Sequence, residues 1–126
     1  EGYVLEFGVA HERTLSLSPN GLSLSGVDRL VPRGHVRRPR EGVPFSVRFH
    51  IHPDVRVSPS QGGGILLRLP NGDGWRFRCG GAQILIEESV YLGADMVRKA
   101  EQIALSGTMR NEPVEIGWIF EQIVTT

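Results

Sequence analysis

Cysteine, lysine and tyrosine are nearly missing from this chain of 126 residues. Cys79 is the lone cysteine, so no intrachain disulfide can form, and the sequence leaves the redox compartment open. Lys99 is the lone lysine beside thirteen arginines, and the fourteen basic residues are balanced by fourteen acidic ones. A formal charge of zero excludes the broad electrostatic footprint that nucleic acid or an anionic membrane surface would need. No recognition helix or ribonucleoprotein motif appears either, so neither nucleic acid nor membrane is expected as a partner. The apolar stretches are far too short to span a bilayer. No signal peptide is visible. The chain opens on Glu1 rather than methionine, which predicts a piece of a longer protein. Its compartment is left open, the periplasm included.

What is present is period-2 alternation, the pattern of strands with one buried face. Leu15 and Leu17 alternate with Thr14, Ser16 and Ser18. Pro19-Asn20-Gly21 turns the chain, and Leu22 and Leu24 alternate with serines on the return, which predicts a β-hairpin. Phe45, Val47, Phe49 and Ile51 share one phase, and Ser46, Arg48, His50 and His52 the other. Pro53 ends that run. Gly62-Gly63-Gly64 opens a strand from Ile65 to Leu69. Asn71-Gly72-Asp73-Gly74 reads as another hairpin turn. Trp75, Phe77 and Cys79 then face opposite Arg76 and Arg78. Gln83 to Glu88 and Val90 to Leu92 read as one bent strand or two short ones. Lys99 to Gly107 and Val114 to Phe120 complete the set.

These segments predict an all-β fold over residues 1–126, a single antiparallel two-sheet β-sandwich of nine or ten short strands. Its expected core is Phe49, Ile51, Trp75, Phe77, Ile84, Ile86, Ile116, Trp118 and Phe120. Met96 to Ala104 is the one window that a helix would tolerate. Val31 to Pro44 breaks the alternation with Arg33, His35, Arg37, Arg38 and Arg40 and three prolines. It is expected to be a mobile surface loop.

Four constellations have the residue types for chemistry. His50 and His52, two apart on a strand, project from one face and can reach one metal ion, with His11 and Asp28 as candidates to complete the site. Arg56 and Val57 stand where a cupin-type glutamate would be needed, so two histidines on a solvated or domain-packing face compete with the metal reading. Arg48, Arg68, Arg76 and Arg78 are expected on the outer side of neighbouring strands. With the basic loop they offer forked hydrogen bonds to a polyanion. Cross-strand pairing with Glu87, Glu88, Glu101 and Glu115 is the alternative, and zero net charge favours it. The glycine triplet lacks the Gly-Lys-Ser/Thr and helix of a phosphate loop, so it reads as a strand entry. Cys79, in phase with Trp75 and Phe77, reads as inert core rather than a reactive thiolate.

Several segments together resemble the C-terminal β-domain of bacterial heparinase II/III-like polysaccharide lyases. They are Gly2-Tyr3, Phe7 to Arg13, Gly26-Val27-Asp28-Arg29-Leu30, Val47 to Val55, Gly74 to Arg78, Glu87 to Gly93 and Glu101-Gln102-Ile103. The resemblance implies a parent of two parts, an α/α toroid followed by β-sandwich. It implies β-elimination on a uronic-acid polysaccharide such as a glycosaminoglycan, in which a base takes the C5 proton and an acid protonates the departing oxygen. The family's catalytic residues and its zinc-binding His-x-His motif belong upstream of the matched region. This chain is therefore expected to be non-catalytic and to hold no cofactor, with zinc confined to the upstream part. Its implied partners are the toroid of the same chain and an acidic polysaccharide, touched by Arg48, His50 and His52. An independent carbohydrate-binding module, with Tyr3 and Tyr91 as its candidate aromatics, and a small metalloprotein built on His50 and His52 are the rival readings.

Overall fold

The computed structural model describes residues 2–5, 9–34, 40–93 and 96–124. Among the described residues ten strands form, in chain order: β1 (Gly2–Leu5), β2 (Val9–Leu17), β3 (Ser23–Pro32), β4 (Val43–Ile51), β5 (Arg56–Pro59), β6 (Ile65–Arg68), β7 (Gly74–Gly80), β8 (Gln83–Leu92), β9 (Val97–Met109) and β10 (Val114–Ile123). They make two sheets, one of seven strands in the order β1-β2-β3-β10-β7-β6-β5 and one of three in the order β4-β9-β8. Every pairing is antiparallel. The expected all-β sandwich is what the chain forms.

The turns act where their residues predict. Asn20 accepts hydrogen bonds from the Ser18 hydroxyl and the Leu22 amide, closing the β2–β3 hairpin. Asn71 accepts from the Asp73 amide between β6 and β7. Two expectations change, and the choice left open over 83–92 is decided. The helix-tolerant window at 96–104 lies in β9, a strand of 13 residues, because Ile103 and Leu105 alternate into the core and pair with Ile86 and Ile84. The segment 83–92 is one continuous strand. Of the expected loop at 31–44, Val31 and Pro32 continue β3 and Val43 and Pro44 open β4, while residues 35–39 lie outside the described residues. The short edge strand β5 was not anticipated, since Arg56 to Pro59 is too brief and too polar to alternate visibly.

The core sits between the sheets. Val47, Ile65, Leu67, Phe77, Ile103, Leu105, Ile116 and Trp118 are buried, and all nine expected core residues belong to this cluster or pack against it. Phe49 is the hub of its aromatic part. Its ring meets Trp118 edge-on at 4.8 Å and lies 5.5 Å from Phe77, and Phe120 stands 4.7 Å from Phe77. Edge-to-face contacts of this kind add about 0.5–1.5 kcal/mol each beyond area burial. The Trp118 ring lies flat over Gly26, where an added Cβ would come within 2.4 Å of it. A smaller cluster of Val9, Leu30 and Met109 continues the core under Phe45 and Val114.

Candidate functional site

The outward phase of β4 carries Arg48 and His50, with His52 just past its end, and all three side chains are exposed. The register sets His50 beside Gln102 and Gln102 beside Glu87, a polar row across the three-stranded sheet. Arg48 donates from Nε to Glu87 at 3.2 Å, and Gln102 donates to the same oxygen at 2.9 Å. Hydrogen bonds from Gln102 and Arg48, with the arginine charge, hold the Glu87 carboxyl below its usual range. One row further, the His52 and Tyr91 rings meet at 4.8 Å. The Asp54 amide donates to His52 Nδ1 at 3.1 Å, which leaves the ring proton of neutral His52 on Nε2. Arg98 donates to Asp54 at 2.7 Å and draws that carboxyl down as well. The face thus combines an aromatic pair with fixed donors and acceptors.

The metal constellation is not assembled. His50 and His52 face solvent from the three-stranded sheet, whereas Asp28 sits inside the sandwich on β3 and His11 bonds to it from β2. The two pairs are on opposite sides of the three-stranded sheet, so His11 and Asp28 cannot complete a site with His50 and His52. Among the described residues no group of three or more histidine, cysteine or acidic side chains is placed to hold a metal. The single arginine face is also divided. Arg76 and Arg78 project from the outer side of the seven-stranded sheet, and Arg48 from the opposite surface of the sandwich. Arg48 pairs with Glu87 as expected, and Arg78 pairs with Glu121, a partner outside the expected set of Glu87, Glu88, Glu101 and Glu115. Cys79 is half-buried, and burial pushes its thiol up, consistent with an unreactive group.

Sequence reasoning named His11 and Asp28 only as candidates to complete a metal site and missed the buried cluster that they form with Arg13 and Trp118. Asp28 is 0% exposed and accepts four hydrogen bonds. His11 Nε2 at 2.7 Å and Arg13 Nε at 2.7 Å share one oxygen, and Arg13 Nη2 at 3.2 Å and Trp118 Nε1 at 2.8 Å share the other. Burial alone would raise the Asp28 carboxyl; the bonds from Arg13, His11 and Trp118 and the arginine charge outweigh it and hold it below the usual range. The Arg13 guanidinium lies 5.2 Å from the Phe49 ring centre, so this cluster ties the seven-stranded sheet to the aromatic core. The signal was present in the sequence: Asp28 is in phase with Leu24 and Leu30, and Arg13 with Val9 and His11. With every acceptor position used, the cluster is a brace rather than a reactive centre.

Against this geometry stand the comparisons with known proteins. The family model described as "Heparinase II/III-like, C-terminal" matches residues 1–119. The chain belongs to the heparinase II/III-like C-terminal family. "FtsZ-localized protein C" of Caulobacter vibrioides (strain NA1000 / CB15N) is 36% identical over 110 residues, covering 83% of this chain. The matched region is only 19% of that relative's length, so this domain type occurs there within a much larger protein. In the heparinase II/III-like C-terminal domain described here, the inner face of β2 is incompletely covered. Leu15 and Leu17 point to the core side of the seven-stranded sheet, yet they are 58% and 66% exposed. A second apolar surface is the end of the β8–β9 hairpin, with Val90, Leu92, Met96 and Val97 exposed.

Proposed function

We propose that this chain is the non-catalytic β-sandwich portion of a heparinase II/III-like polysaccharide lyase, bracing its catalytic α/α toroid. The parent would act by β-elimination on a uronic-acid-containing polysaccharide. The observation that carries the reading is the strip at Leu15 and Leu17, core-facing leucines that are more than half exposed. Exposed leucines on the core-facing side of a strand suit a surface that another domain would cover. The outer face of the three-stranded sheet, with Arg48, His50 and His52, would wall one side of the substrate cleft. Arg48 is pre-positioned by Glu87, and the His52–Tyr91 ring pair supplies a stacking surface.

That ring pair also favours a second reading, an independent carbohydrate-binding module. Calorimetric titration of this chain with heparin-like and non-sulfated uronate chains separates the two. The bracing reading expects weak or no binding by the domain alone. Within the parent protein it expects a raised KM with kcat little changed for Arg48→Ala combined with His50→Ala. Tight binding by the isolated chain would favour the module and overturn the bracing role. The relative's name places that protein with FtsZ. A localising role for this domain would be supported by co-sedimentation of this chain with FtsZ polymers that Leu15→Ser with Leu17→Ser abolishes.

A further inference from the structure

We propose that the outer face of the seven-stranded sheet is a self-association surface on which a second copy of this chain packs about a two-fold axis. This goes beyond the bracing role and does not depend on it. The starting observation is a pair of glycines directly opposite each other, Gly117 in the central strand β10 and Gly80 in β7. Glycine inside a strand weakens it, and so asks for a reason in close approach by something else. Gly26 has an internal reason in the Trp118 ring, and Gly107 in the Phe45 ring. Gly117, inside β10, has none, while Gly80 ends β7 at the turn before Gly81; neither has a positive φ, and an added Cβ at either would meet nothing within 4 Å. The room they make is therefore outside the domain.

That room is a shallow groove of about 380 Å³ crossing β2, β3, β10 and β7, with a predominantly apolar surface. The pairing register fixes its two banks. One is the row Thr14, Val27, Gly117, Gly80, and the other is the row Ser16, Ser25, Ile119, Arg78. On β3, β10 and β7 one bank has a large residue where the other has a small one. A two-fold axis lying along the groove between two molecules sets each bank over the opposite bank of its mate. Ile119 then stands over the partner's Gly117, Arg78 over the partner's Gly80, and Val27 over the partner's Ser25. One row further out, Glu115 and Glu121 approach across the axis, where Glu121 is already neutralised by Arg78 of its own chain. The match is isologous, the same patch used by both copies. A face of seven strands at about 4.8 Å spacing is roughly 30 Å wide, large enough for the roughly 800 Å² per partner of a standard stable interface.

Analytical ultracentrifugation of the chain over a micromolar concentration series tests this, together with Gly117→Arg and Gly80→Arg. Wild type is expected to sediment as a monomer–dimer equilibrium. Each substitution should weaken dimerisation about 100-fold, the size of an interface hot spot. Melting temperatures of both variants measured in dilute solution, where all three proteins are monomeric, should be equal to or above that of wild type, because an added Cβ at either position meets nothing within 4 Å and replacing a strand glycine removes its entropic cost. A wild type that stays monomeric throughout overturns the proposal. So does a dimer that survives both substitutions, or a Gly117→Arg variant that loses uronate or FtsZ binding while wild type never dimerises.

Discussion

Replacing Asp28 by asparagine keeps the shape of the side chain and removes its charge. The carboxylate is fully buried and receives His11, Arg13 twice and Trp118, so the amide must turn its NH2 toward donors that it cannot accept from. Breaking a buried charged pair from one side costs about 3–5 kcal/mol. Arg13 is 35% exposed and keeps part of its hydration, which places this substitution near the lower end, about 3 kcal/mol. For a domain of this length that is a fall of about 10 °C in melting temperature. The pH dependence gives an independent check. The Asp28 carboxyl is held below its unfolded value of about 3.9, so the folded state binds its proton less readily than the unfolded chain does. Its contribution is therefore complete above that value and is lost as the pH falls through the folded one. The stability gap between wild type and Asp28→Asn should be constant near neutrality and close below about pH 4. Urea unfolding followed by tryptophan fluorescence at a series of pH values measures both. A double-mutant cycle with Arg13→Met should return a coupling of about 1–2 kcal/mol. A loss under about 1 kcal/mol, or a gap unchanged down to pH 3, would refute the brace.

Gly26→Ala should destabilise by about 1–3 kcal/mol, because the new methyl runs into the Trp118 ring; unchanged unfolding would mean the ring moves freely. Phe77→Ala should cost about 3–5 kcal/mol in the same assay, since its side chain is fully buried at the centre of the core. Leu15→Ser with Leu17→Ser should leave the isolated domain's stability within about 0.5 kcal/mol, while in the parent protein it should make the domain boundary readily cleaved in limited proteolysis. Equal cleavage of variant and parent would argue against docking at that strip. Cys79 should react with a soluble thiol reagent only slowly at neutral pH and at the free-thiol rate once unfolded; rapid labelling of the native chain would contradict its burial.

Local chemistry alone determined much of this molecule. Alternation of apolar and polar residues, punctuated by Asn20-Gly21 and Asn71-Gly72, decides strands, hairpins and the inward set from Phe49 to Phe120, because a strand's side chains alternate with period 2 whatever lies beyond it. The outward placing of Arg48, His50 and His52 follows from the same rule. Which strands become neighbours does not, since pairing depends on contacts between residues far apart in the chain. Only the tertiary structure put Arg48 on one surface and Arg76 and Arg78 on the other, kept His11 and Asp28 away from His50 and His52, and gathered His11, Arg13, Asp28 and Trp118 into one buried cluster. It also set Gly117 opposite Gly80. A residue's phase along its own strand tells which way it points, but what it meets there is decided by sheet order and register.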